Sequence, residues 1–155
     1  MTTTEPEDFD ALWNYDDPAG TEAKFRAVLA QAVPGSSDEL ELLTQIARCQ
    51  GLQRQFEAAH HTLDQVQAQL PAGASRAQIR YWLERGRVFN SSGRKPEASA
   101  QFLEAWQAAS AAGEDFYAVD AAHMLAISEP PAEQLAWNQR AIAAAEASSQ
   151  PRARH

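Results

Sequence analysis

Apolar residues recur along this chain with the spacing of a helix. Trp82, Gly86 and Phe89 stand at i, i+4 and i+7, and Ala98, Phe102 and Ala105 repeat that spacing after Ser91-Ser92-Gly93. Positions so spaced share one face, because a helix completes a turn every 3.6 residues. Hardly any run alternates with the period of two that a strand requires, so the pattern predicts an all-α chain.

Turn-forming clusters divide the chain at Asp17-Pro18-Ala19-Gly20, Pro34-Gly35-Ser36-Ser37, Pro71-Ala72-Gly73, Ser91-Ser92-Gly93, Ala112-Gly113 and Glu129-Pro130-Pro131. The pieces between them, about 12 to 20 residues long, suit helices joined by short turns, which makes sequential neighbours antiparallel. Between Arg80 and Trp106 the small residues Gly86 and Ala98 fall where two such helices approach most closely. Trp82, Phe89 and Phe102 fill the space around them. Pro96 falls in the first turn of the second helix, where a missing N–H does no harm.

An earlier stretch has the same order: Leu43 and Ala47, then Phe56, Ala59, Leu63 and Val66, closed by Pro71, with Ala47 preceding Gly86 by 39 positions. A third set, Ala122 and Leu125 followed by Leu135, Trp137, Ala141 and Ile142, departs from the pattern in its Pro-Pro turn. Thr21 to Val33 reads as a second helix whose partner is missing or degenerate.

W-x3-G-x2-F, a glycine turn and A-x3-F-x2-A resemble the tetratricopeptide repeat, a helix-turn-helix unit of about 34 residues. The resemblance covers most of residues 18–147 and implies a right-handed α-solenoid of antiparallel helix pairs. It implies about three pairs after an N-terminal half-repeat. Residues 1–17 would be an acidic, aromatic segment in which Trp13 and Tyr15 cap the first repeat helix or form a partner-binding patch. Residues 148–155 would be a basic tail that opens a further repeat, so the chain would be a shortened form.

In such solenoids the first helices line a concave groove. Carried over by position, the lining residues are Thr44 and Arg48, then Arg80, Leu83, Glu84, Arg87 and Asn90, then Val119, Asp120, His123 and Ile127. Arg48, Arg87 and His123 become equivalent positions that form a stripe. A cationic stripe suits a carboxylate, such as a partner's acidic segment or C-terminus. Alternatively Glu84 pairs with Arg80 and Arg87 along its own helix and neutralises much of it.

Composition narrows the function classes. The 155 residues are 45% apolar and 22% charged, enough for one ordinary soluble domain. A formal net charge of −8 argues against nucleic acid as a general partner. No run approaches the roughly 18 apolar residues of a membrane span, and the opening MTTTEPEDFD lacks the apolar core of a signal peptide, so a cytoplasmic protein without a membrane partner is expected. The single cysteine, Cys49, cannot form an internal disulfide, which suits a reducing compartment. It reads as a buried structural thiol.

Candidate chemistry is sparse. Six residues separate Gly86 from Gly93 and Arg94-Lys95-Pro96 follows, which is the wrong spacing and ending for a phosphate-binding loop. Asn90-Ser91-Ser92 fits a glycosylation acceptor but reads as a helix end. His60 and His61 point about 100° apart on a helix and cannot both face one metal ion. Phe116 and Tyr117 read as packing between repeats. No Ser-His-Asp or Cys-His motif is present, and His123 beside Asp120 is the one candidate acid-base pair. No cofactor or metal is expected.

The expected function is a non-catalytic scaffold that holds a peptide or partner helix through Arg48, Arg80, Arg87, Asn90 and His123. The alternative is self-assembly into a homo-oligomer through an uncapped last face around Leu135, Trp137 and Ile142. An enzyme is the third possibility.

Overall fold

The computed structural model describes residues 9–154, which from Pro18 onward form seven α-helices and a terminal 3-10 turn, with no strand among the described residues. Residues 1–8 of the expected N-terminal segment, and His155, lie outside the described residues. The chain divides into two compact units, residues 1–71 and 72–155. No helix among the described residues is long and apolar enough to cross a membrane.

In the first unit, α1 (Pro18–Leu29) packs on α2 (Ser37–Leu52), and α2 on α3 (Phe56–Gln69). Helix α1 begins earlier than the expected Thr21, inside the Asp17-Pro18-Ala19-Gly20 cluster. Asp17 caps it by accepting from the Gly20 N–H at 3.0 Å, and Pro18 occupies a first-turn position where its missing donor is harmless. Phe9, Phe25, Leu42, Ile46 and Cys49 form the buried core, with Phe9 and Trp13 both edge-on to Phe25.

In the second unit, α4 (Arg76–Ser91), α5 (Lys95–Ala112), α6 (Asp115–Ser128) and α7 (Pro131–Ala147) pack each on the next, and α4 also touches α6. The core runs through Ile79, Leu83, Ala98, Phe102, Ala105, Leu125, Trp137 and Ala141. Phe102 is fully buried, and removing a side chain of that size from water contributes about 2–3 kcal/mol. The close approach expected at Gly86 is present: a β-carbon there would stand 2.5 Å from the Phe102 ring. The 3-10 turn Pro151–Arg154 packs on α6 and α7.

The hairpins α2–α3 and α4–α5 share one register. Ser36 caps α2 by accepting from the Glu39 N–H, and Ser75 caps α4 by accepting from the Gln78 N–H, both at 3.2 Å. After each first helix one residue takes a left-handed conformation, Arg54 at φ 61° and Gly93 at φ 83°. Next to it a backbone N–H reaches five residues back, Gln55 to Gln50 at 2.9 Å and Arg94 to Phe89 at 2.8 Å. Ser36 and Ser75, and Arg54 and Gly93, are each 39 positions apart.

Candidate functional site

Helix α4 carries Arg80, Glu84 and Arg87 at i, i+4 and i+7, so one face bears alternating charge. Helix α6 meets this face. The Arg80 guanidinium lies 5.5 Å from the centroid of the Tyr117 ring. Arg87 donates through Nη1 to Glu84 Oε1 at 2.5 Å and through Nη2 to Asp120 Oδ2. One guanidinium thus bridges a carboxylate on its own helix and one on the neighbouring helix.

Burial makes this arrangement obligatory. Glu84 is 1% exposed and Arg80 4%, and a carboxylate so placed is tolerable only when paired. Burial by itself lowers the pKa of Arg87, but attraction to Asp120 and then Glu84, with a hydrogen bond to each, holds it above the ordinary arginine value. One turn further on, the amide oxygen of half-buried Asn90 is shielded from solvent and accepts no hydrogen bond from the protein. His123, three residues beyond Asp120, is exposed.

The residues expected in a groove therefore differ in standing. Thr44, Leu83, Glu84, Arg80 and Val119 are buried, whereas His123 and Ile127 are exposed and Arg87, Asn90 and Asp120 lie between. Spacing along the helix sets Asp120 beside His123, whereas in the fold it is Arg87 that Asp120 pairs with. Only a fold brings residues 33 positions apart into contact, and the available signal was their opposite charge on adjacent first helices. No group of three or more His, Cys, Asp or Glu is placed to hold a metal ion among the described residues.

In the first unit, α2 carries Arg48 differently. Its guanidinium lies 5.3 Å from the Trp13 ring centroid and 5.0 Å from that of Tyr15. Trp13 and Tyr15 stack on each other at 4.5 Å, and Trp13 Nε1 donates to Gln45 Oε1 at 3.0 Å. Cys49 beside them is fully buried.

Helix α7 has an apolar outer edge. Leu135 is 67% exposed and Ile142 56%, while Trp137 is buried edge-on against Trp106 with their centroids 5.5 Å apart. No family model, no curated protein and no solved structure matches this chain.

Proposed function

We propose that the chain is a non-catalytic helical-repeat scaffold of the tetratricopeptide kind, a right-handed solenoid that holds a peptide or a partner helix against its first helices. The register of caps and turns shared by α2–α3 and α4–α5 supports the repeat. The close contact of Gly86 with Phe102 supports it at the position where the repeat requires a small residue.

The observation that carries the binding role is the α4–α6 face, where Arg87 locks two helices through Glu84 and Asp120 beside the half-buried Asn90 and the exposed His123. A face fixed in this way binds an extended segment with little ordering cost. Because Asp120 already holds Arg87, an acidic partner segment reaches that cation in competition with Asp120. Asn90 and the exposed His123 are then the principal contacts, and Arg87 orders the face. Asp120 is committed to Arg87, so no acid-base role is proposed for it with His123. A cytoplasmic location accompanies this reading, in keeping with an acidic chain whose single thiol is buried.

Affinity capture from the source lysate tests the role by comparing the wild type with an Asn90→Ala, His123→Ala variant of matching circular dichroism. A discrete partner held by the wild type and lost by the variant is expected. Identical capture by both would count against the α4–α6 face.

A second reading has its own observation, the exposed Leu135 and Ile142 seven residues apart on one edge of α7. Under it the chain self-associates. Sedimentation velocity that depends on concentration in the wild type, and not in a Leu135→Glu, Ile142→Glu variant, would support that reading.

A further inference from the structure

The segment that precedes α1 does more than cover an open core. Phe9 is 2% exposed and anchors one end, while the other is tied where Asn14 and Thr21 exchange two bonds: the Asn14 N–H donates to Thr21 Oγ1 at 3.1 Å and that hydroxyl donates to the Asn14 carbonyl at 3.0 Å. Trp13, between these anchors, and Tyr15, next after Asn14, lie on the α2 face that presents Gln45 and Arg48. Those two positions stand 39 residues before Glu84 and Arg87, so the segment covers the first unit's counterpart of the α4 face.

What holds the two rings there is chemistry that an external peptide can reproduce. It includes one indole N–H bond to Gln45, two mutually stacked rings within cation-π reach of Arg48 and packing of Trp13 on the core, edge-on to Phe25. Tyr15 remains 56% exposed. The surrounding sequence, FDALWNYDD, has three carboxylates and no Lys or Arg, and residues 1–17 contain six carboxylates and no cation. An acidic, aromatic segment is thus already seated on an arginine.

We infer that Trp13 and Tyr15 are an intramolecular occupant of the Gln45–Arg48 face of α2, and that an external peptide combining aromatic and acidic residues exchanges with them. A tethered occupant competes at an effective concentration of about millimolar, so the wild-type face admits a free peptide only weakly. Removing the rings opens the face. Nothing in this step requires the α4–α6 face to bind a ligand.

The test uses the full chain and a fluorescein-labelled synthetic peptide with the sequence of residues 8–18, followed by fluorescence anisotropy. A Trp13→Ala, Tyr15→Ala chain is expected to bind this peptide at least about tenfold more tightly than the wild type, whose tethered rings compete with it. Adding Arg48→Glu should abolish the gain. Because Trp13 also packs on Phe25, circular dichroism must show that the double variant is folded. Should it unfold, Tyr15→Ala alone decides, with an expected gain of about threefold from the loss of one exposed cation-π contact. Equal binding by wild type and folded variants, or a gain that survives Arg48→Glu, overturns the inference and leaves the segment a fixed part of the first unit's core.

Discussion

The ring of Phe102 occupies the space in which a β-carbon on Gly86 would have to stand, with Cε1 and Cδ1 at 2.5 and 2.6 Å. Gly86 is inside α4, where glycine costs about 1 kcal/mol relative to alanine, so its presence there reflects packing and not helix propensity. Overpacking of this kind costs about 1–3 kcal/mol. Gly86→Ala is therefore expected to lose up to about 2 kcal/mol net in chemical denaturation. Combined with Phe102→Leu, which vacates the ring, it should lose less than the sum of the two single changes.

Arg87 joins α4 to α6 through Glu84 and Asp120, whose side chains are 1% and 25% exposed. Replacing Arg87 by Met leaves the Glu84 carboxylate in the interior without this partner, and breaking a buried pair costs about 3–5 kcal/mol. Asp120→Asn keeps a hydrogen-bonding group at a more solvated position and should cost only about 1 kcal/mol. Comparable losses for the two substitutions would show that the bridge is not organised around the buried end.

The same bridge has a pH signature. The folded-state pKa of Arg87 is raised, so its contribution is fully present below the unfolded value and is lost only as pH rises through the still higher folded value. Both lie beyond the range of ordinary alkaline titration. An unperturbed lysine titrates near pH 10.4, the value that applies to the unfolded chain, so Arg87→Lys should begin to lose this contribution above about pH 10 while the wild type keeps it. Melting temperatures from pH 7 to 11 would compare the two.

Much of this architecture is legible in the sequence, and what is not has a physical cause. The glycines at 93 and 113 announce turns because both adopt positive φ. Arg54 adopts the same conformation without being glycine, so the break between α2 and α3 carries no comparable local signal. On α7, Leu135, Trp137 and Ile142 are expected together on an uncapped last face, yet Trp137, two residues from Leu135 and so on another side of the helix, is buried against Trp106 and only Leu135 and Ile142 are exposed. Of the candidate site, the charged row on α4 was readable from its spacing. Its partners Asp120 and Tyr117 were not, because their proximity depends on how α6 packs.

Gly113 ends α5 at φ 70°, and the Glu114 N–H there reaches the Ala109 carbonyl at 2.9 Å. An L-residue in this region costs about 1–2 kcal/mol, so Gly113→Ala should destabilise by about 1 kcal/mol although nothing crowds the position. Thermal denaturation would register the loss, and no loss would mean that the turn relaxes.

Residues 148–153 fold back on α6. Ser148 Oγ donates to Asp115 Oδ2 at 2.7 Å, the Gln150 side-chain amide donates to the Gly113 carbonyl at 3.1 Å, and Arg152 lies 3.8 Å from the Phe116 ring centroid. Ser148→Ala should cost about 1–2 kcal/mol, since the lost bond is to a charged acceptor. Ending the chain after Ala147 should cost more, because Ala153, 3% exposed, leaves its site as well.

The most direct test of the scaffold account is site-specific photo-crosslinking in cells of the source organism. A photoreactive side chain at His123, on the α4–α6 face, would be compared with one at the exposed Gln107 of α5. The account expects a discrete adduct with another protein from position 123 and none from position 107. Adducts that are equal from both positions, or that contain only copies of this chain, would contradict it.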